Sequence, residues 1–255
     1  MNLKDFAEDN SLKILGVSFV LLVAAVAVAG SGFLMEDRVS DDDMERMGAG
    51  DGPTHEGMEA SREDEQDMRA NHSSERYDIS DMSEQELGEQ EVEDIRYMRQ
   101  EESLAHDVYD RFYEEYGVRA FDNIKYSEQT HAEVFKELIE KYGLEDSYNE
   151  STNSFESQEI TELKDKLVER GMEGEVEALK VAVEIEEMNV AHLREKLNNA
   201  ENRDLQEIYS NLLEDSKRHL TAFDRQLDMR DVEYTPNHIS KSDYEEITAD
   251  TGRGR

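Results

Sequence analysis

The sequence predicts an all-α protein, a four-helix bundle with one long connection that carries a short helix. Three observations favour this fold class. Between residues 83 and 230 apolar residues recur at helical spacing, with no strand pattern. The intervals between the long helical stretches are short, long and short. Each long stretch also carries a Glu or a His on its apolar face near mid-length. We expect a transmembrane helix and a disordered acidic linker before the bundle.

Start and stop signals set the expected bounds of the helices. Ser83 and Glu86 have the spacing of a capping box, and the helix that they open should end at Gly117. The second helix should begin near Asp122, a plausible N-cap, and end at Gly143. The other helices are predicted at residues 159–170, 173–199 and 202–229.

The lengths of the connections predict the topology. The first two long helices are separated by about five residues and the last two by about four, so each pair should be antiparallel. Roughly thirty residues, with the short helix among them, separate the two pairs, which is enough for a crossover along the bundle. Ferritin-like folds have this connection.

Acidic residues dominate the composition. The chain has 64 Asp and Glu against 28 Lys and Arg, and its net charge is −36. Phosphates would be repelled, so we expect no binding to nucleic acid. Such self-repulsion is screened at molar salt, where the Debye length is about 3 Å. We interpret the surface as halophilic, as in salt-in archaea; an acidic solubilising protein or cation buffer is the alternative. The lack of Cys excludes disulfides and thiolate metal sites.

An uncharged apolar run at residues 14–35 is long enough to span a bilayer core of about 30 Å. Lys4 and Lys13 precede the run and acidic residues follow it, which favours the bundle outside the cytoplasm. We therefore expect a single-pass protein of the cell membrane. The alternative is a cleaved signal and a secreted protein, because Ala27–Ala29 resembles a cleavage site.

Five regions follow from these patterns. Residues 36–82 are rich in Asp, Glu, Gly and Ser and lack periodicity, so they cannot bury enough apolar surface to offset the entropy of ordering. The regions are a short tail at 1–13, the anchor or signal at 14–35, the disordered linker at 36–82, the bundle at 83–230 and a C-terminal tail at 231–255.

Candidate metal ligands occur on all four long helices. Glu128 and His131 lie one turn apart on one face of the second helix, although about one such pair is expected by chance in so acidic a chain. Glu102, Glu186 and His219 lie on the apolar faces of the other three. Buried ionised carboxylates are costly unless they are paired or bind a metal, so the set predicts a metal site. Most other Glu residues, Glu187 among them, we assign to a solvated face.

The motifs around these residues resemble two known families. Glu102–Ala105, Glu128–His131 and Leu179–Glu186 resemble the ligand motifs of rubrerythrins. From Ile95 to Leu227 the chain is more closely similar to an uncharacterised archaeal and bacterial ferritin-like family, domain of unknown function 2202. Four runs carry that similarity: Glu101–Tyr109, Ser127–His131, Ile185–Glu187 and Ser216–Phe223.

The resemblance implies a ferritin-like fold and a set of iron or manganese ligands. They are Glu102, Glu128, His131, Glu186 and His219. A complete two-metal centre of this kind has four carboxylates and two His, whereas Ser216 stands where a second Glu-x-x-His pair would have its Glu. Asn189 stands one turn after Glu186, where another carboxylate would fit. The second metal position is therefore expected to be weak, water-filled or empty.

Three other residues are candidates for roles at the metal site. His106, one turn after Glu102, is either a compensating ligand or an exposed residue. Tyr109 and Tyr209 lie two turns from Glu102 and Ser216. They are either electron relays or core residues with hydrogen-bonded hydroxyls.

Two functions remain open. One is a redox enzyme of ferroxidase or peroxidase type, with an unknown redox partner. The lack of a rubredoxin-type Cys site counts against rubrerythrin-like turnover. The other is a non-catalytic bundle, tethered outside the cell, that binds a metal or a partner protein. In both cases the N-terminal helix binds the membrane, and homodimerisation is a further expectation.

Overall fold

A computed structural model of the chain describes residue 77, residue 79 and residues 85–249. These residues are all-helical apart from one antiparallel hairpin, β1 (Tyr148–Asn149) with β2 (Ser154–Phe155). Their six helices are α1 (Glu89–Tyr116), α2 (Arg119–Lys141), α3 (Gln158–Gly171), α4 (Glu175–Asn199), α5 (Arg203–Asp228) and α6 (Lys241–Ala249).

Several sequence predictions fall elsewhere in the chain. The tail at 1–13, the apolar run at 14–35, nearly all of the linker at 36–82 and the cap at Ser83 lie outside the described residues. Within the part of the chain that is described, no helix has the length and apolar character needed to cross a membrane. The membrane anchor and the linker therefore stay predictions.

The ends of α1 and α2 depart from the expected caps. α1 begins at Glu89, after the predicted start, and the Glu91 carboxylate accepts a hydrogen bond of 2.9 Å from the Gly88 backbone N–H. It ends as predicted before Gly117, whose φ of 64° is left-handed. Because Gly117 reverses the chain at once, α2 begins at Arg119, and the predicted cap at Asp122 was wrong.

The long connection between α2 and α4 contains the predicted short helix. The Ser157 hydroxyl accepts a bond of 3.3 Å from the Ile160 N–H and caps α3, which packs on α1 and α4. The hairpin before α3 was not predicted. Strands of two residues leave no periodic signal, and contacts such as that between the Tyr148 and Phe155 rings, 5.0 Å apart, hold them together.

The core consists of two apolar clusters with a polar band between them. α1 packs against α2 and α4 packs against α5, while α1 also contacts α4 and α2 contacts α5. On each long helix the apolar residues divide between the clusters, as Met98 and Leu104 do on α1. Glu101 and Glu102 lie between those two residues and are buried. The candidate ligands therefore lie at the level where apolar packing is interrupted.

The segment predicted as a C-terminal tail contains α6 and is fixed to the bundle. Glu187 is fully buried, so its assignment to a solvated face was wrong. Its carboxylate accepts hydrogen bonds from the Tyr234 hydroxyl at 2.6 Å and from the Asn237 N–H at 3.0 Å. The Tyr244 hydroxyl on α6 donates to Asp224 on α5 at 2.6 Å. These bonds join residues far apart in sequence, so helical periodicity does not reveal them.

Candidate metal centre

Five polar side chains from the four long helices meet inside the polar band. They are Glu102 of α1, Glu128 and His131 of α2, Glu186 of α4 and His219 of α5. The three carboxylates and His131 are buried, and 12% of the His219 side chain is exposed. The structure thus brings together all five residues that the sequence singled out.

The first group contains Glu102, Glu128 and His131. Nδ1 of His131 lies 3.0 Å from Oε2 of Glu128 and 3.4 Å from Oε2 of Glu102. One atom from each side chain lies within 4.8 Å of the other two. Because Glu128 and His131 lie one turn apart on the same face of α2, their side chains reach the same small region of the core.

The second group contains Glu128, Glu186 and His219. Nδ1 of His219 lies 2.6 Å from Oε1 of Glu128 and 3.8 Å from Oε2 of Glu186. The imidazoles of His131 and His219 stack, with centroids 5.6 Å apart and planes at 22°. Glu128 is a member of both groups, one oxygen facing each His.

Several potential ligand atoms in these groups are buried and have no hydrogen-bond partner within the described part of the chain. They are both oxygens of Glu102, Oε1 of Glu128, Oε2 of Glu186 and Nδ1 of His219. The close approach of His219 to Glu128 thus lacks the alignment of a hydrogen bond. Leaving such groups unsatisfied costs roughly 1–3 kcal/mol each, and more where the group is charged. A cation fits as the shared partner, and a set of carboxylates with imidazole suits iron, manganese or zinc.

Burial and the charges of neighbouring groups give the three carboxyl groups of this cluster different pKa values. Burial raises the pKa of Glu102 to about 8. Burial and the charge of Glu128 raise the pKa of Glu186 well above its ordinary value. Burial would also raise the pKa of Glu128, but the imidazoles of His219 and His131 hold it well below. Protons therefore occupy positions that a cation would take, and metal binding should release them.

A surrounding set of residues holds the ligands in place. The Tyr109 hydroxyl donates a hydrogen bond of 2.7 Å to Oε1 of Glu186, as expected for a core tyrosine. Oδ2 of Asp215 lies 3.6 Å from Nε2 of His131, and the Tyr77 hydroxyl donates to the same Asp215 oxygen. Neither Asp215 nor Tyr77 was predicted from the sequence as part of the site. Asp215 could have been considered from the sequence, because it directly precedes Ser216. Tyr77 could not, because it lies in the predicted linker.

The remaining candidates have distinct environments. The Ser216 hydroxyl is buried and donates to the Leu212 carbonyl at 3.1 Å. Asn189 is fully buried, and neither atom of its amide has a hydrogen-bond partner among the described residues.

Tyr209 and His106 differ from the expectations for them. The Tyr209 hydroxyl is likewise buried without a partner in the described part of the chain, which differs from the hydrogen bond predicted for a core tyrosine. His106 lies 3.4 Å from Asp107 and belongs to neither ligand group, so the structure does not support it as a compensating ligand.

These features define the protein as a helical bundle with buried acidic and His groups able to hold a metal ion. The chain belongs to the family described as an uncharacterized protein domain, DUF2202, which matches residues 91–251. This confirms the family predicted from the motifs.

One relative, matched both by its sequence and by its crystal structure, places the chain further. An uncharacterized protein of Methanocaldococcus jannaschii, MJ0754, is 42% identical over 178 residues, or 69% of this chain and 96% of the relative. The crystal structure of hypothetical protein MJ0754 from Methanococcus jannaschii DSM 2661 is similar with a TM-score of 0.65 and 40% identity. That similarity covers 67% of this chain and 98% of the other.

Proposed function

We propose that this protein is a ferritin-like metal-binding protein whose core holds two divalent cations, iron or manganese. The observation that carries the proposal is that Glu128 belongs to both ligand groups. One of its oxygens faces His131 and the other faces His219, so Glu128 would supply one ligand oxygen to each group. Glu102 and His131 would hold one ion, while Glu186 and His219 would hold the other.

The order of the helices supports membership of the ferritin-like superfamily. Two antiparallel pairs, α1 with α2 and α4 with α5, are joined by a connection that contains the hairpin and α3. Ferritin-like carboxylate proteins combine one such long connection with inward ligands on all four helices. The five candidate ligands are distributed in the same manner.

We further propose that the centre acts as an oxidase or peroxidase on small substrates. A bound iron or manganese pair would supply the electrons that reduce oxygen or peroxide. The protein residues would orient the ligands and carry protons. Tyr109 holds one oxygen of Glu186 in place. Because burial raises the pKa of Glu102 to about 8, that carboxyl group carries a proton at neutral pH in the metal-free protein and would release it when an ion binds. The exposed edge of His219 marks where a small molecule would approach.

A second candidate function is metal binding without catalysis. Its support is Ser216, which is bonded to the Leu212 carbonyl at the position where a fourth carboxylate would complete the centre. With three carboxylates for two divalent cations, one positive charge is left uncompensated. In this version the ions, or one of them, would stabilise the bundle rather than turn over a substrate.

The cellular setting rests on the sequence. The apolar run at 14–35 and its flanking charges support a single-pass membrane protein with the bundle outside the cytoplasm. The acidic excess supports a halophilic source. A homodimer and a separate redox partner belong to the same proposal.

The test is a metal titration of the full-length chain in high salt. A cation that binds only the folded state at 100 times its Kd should stabilise the protein by about 2.7 kcal/mol and raise the melting temperature by several degrees. Fe(II), Mn(II) and Zn(II) are compared under argon, with the bound metal counted after dialysis. An unchanged melting temperature with all three would overturn the proposal.

Admitting oxygen separates the two functions. An absorbance change with the Fe(II) protein and none with the Zn(II) protein is the result expected for an oxidase, because zinc has no redox chemistry. Bound iron that stays ferrous in air would leave metal binding as the function.

A further inference from the structure

Tyr77 is a buried aromatic residue that reaches the candidate centre from outside the helices of the bundle. It precedes the residues that match the family, 91–251, and only 5% of its surface is exposed. Its ring joins the apolar cluster that contains Ile95 and Val134. A large aromatic side chain at this depth displaces water from whatever it covers.

The contacts of Tyr77 converge on one candidate ligand. Its ring meets the His131 imidazole edge to face, with centroids 5.8 Å apart and planes at 77°. Its hydroxyl donates a hydrogen bond to Oδ2 of Asp215. The same Asp215 oxygen lies 3.6 Å from Nε2 of His131, the ring nitrogen that points away from Glu128.

These contacts lie on the seam between α2 and α5, which carry His131 and Asp215 respectively. The seam also contains His219, whose side chain is 12% exposed, whereas the three carboxylates are buried. At the end of α2, the Lys141 ammonium donates to the carbonyl of Ile79, two residues after Tyr77, at 3.0 Å. The contacts of Tyr77 and Ile79 thus place both residues against α2, with Tyr77 on the His131 side of the centre.

We propose that Tyr77 is a positioning and gating residue for the metal centre. Its ring closes the seam beside His131, and its hydroxyl holds Asp215 against that imidazole. This inference rests on the proposed metal-binding function. An ion that enters or leaves beside His131 meets the ring, and an imidazole oriented through Asp215 is a better ligand than one that is free to turn.

Two substitutions separate the ring from the hydroxyl. Tyr77→Phe keeps the ring over the seam and removes only the bond to Asp215, while Tyr77→Ala removes both. Tyr244 of α6 provides a matched control, because it is buried and its hydroxyl also donates to an Asp carboxylate, that of Asp224 on α5, at 2.6 Å. Tyr244→Ala and Tyr244→Phe therefore repeat the two changes at a site without candidate ligands.

The experiment measures release of Mn(II) or Zn(II) from the loaded full-length chain to an excess of chelator. Tyr77→Ala should release metal about 10-fold faster than the wild type, in line with the loss expected for outer-shell partners. Tyr77→Phe should release metal within about threefold of the wild-type rate, because the ring still covers the seam and only the orientation of Asp215 is weakened. Both Tyr244 variants should release metal at the wild-type rate.

Three results would contradict the role proposed for Tyr77. If Tyr77→Ala releases metal as slowly as the wild type, the gate is wrong although the metal site stands. If Tyr244→Ala accelerates release equally, the effect is general loosening of the bundle and the gate is also wrong. A wild-type chain that binds no metal overturns the proposed function, and with it the role of Tyr77.

Discussion

Nδ1 of His219 lies 2.6 Å from Oε1 of Glu128, across the seam between α5 and α2. The other oxygen of the same carboxylate lies 3.0 Å from Nδ1 of His131. A single fully buried carboxylate therefore connects the two groups of candidate ligands. A substitution of Glu128 should therefore affect metal binding by both groups, whereas a substitution of a residue in one group should affect that group alone.

Glu128→Gln should abolish both metal positions, whereas Glu186→Gln should leave one. The reason is that Glu128 belongs to both groups and Glu186 to only one. The number of Mn(II) or Zn(II) ions per chain after dialysis measures the difference. The matched control is Glu133→Gln, the same change at an exposed position of α2. Full metal occupancy in Glu128→Gln would refute the assignment of the site.

Asp215→Asn should weaken metal binding by about 10- to 100-fold without removing a direct ligand. The Asp215 carboxylate lies 3.6 Å from Nε2 of His131, and an amide in its place cannot accept a proton from the imidazole or orient it as strongly. Calorimetric titration with Zn(II) provides the affinity. Asp224→Asn, a change of the same kind outside the ligand groups, is the control. Equal affinities of the two variants would exclude Asp215 from the site.

Ser216→Glu should restore a fourth carboxylate to the centre. In metal-free protein the added carboxyl group is buried near three other carboxyl groups, so the free energy of unfolding should fall by roughly 3 kcal/mol. Added Fe(II) or Mn(II) should then raise the melting temperature more than it does in the wild type. Ser216→Gln adds a side chain of similar size without the charge. If both variants respond equally to metal, Ser216 does not face the ions.

The ion pair between His192 and Glu101 gives a pH dependence separate from the metal ligands. Nδ1 of His192 lies 2.6 Å from Oε1 of Glu101, and the charge of Glu101 raises the pKa of His192 above its ordinary value. A raised pKa in the folded state stabilises the protein fully below about pH 6.5, the unfolded value. This stability is lost as the pH rises from there through the folded pKa.

His192→Gln should therefore destabilise the protein at pH 6 and have less effect at alkaline pH. Urea unfolding of wild type and variant, both metal-free, between pH 5.5 and 9 measures the difference in free energy of unfolding. Taking the difference removes the contributions of other titrating groups that the two proteins share. A difference that is constant across this range would show that His192 does not titrate against Glu101.

Local patterns explain why most of the helical core was predictable. The apolar spacing of α4 and α5, the short helix at 159–170 and the stop at Gly117 depend on signals within a few residues, and each agrees with the structure to within about two residues. The five candidate ligands could also be predicted, because each is a polar residue among the apolar residues on the inward face of its helix. Their assignment as metal ligands stays a prediction.

The sequence by itself determined the all-helical class, the family and the polar residues that each long helix turns inward. The helical class and the inward residues follow from spacing within single segments, and the family follows from the motifs that resemble it. Only the tertiary structure decided that Glu128 is shared between two groups, that Glu187 is buried under the C-terminal segment and that Tyr77 meets Asp215. The physical reason is that each of these depends on contacts between residues distant along the chain, whose distances no local periodicity specifies.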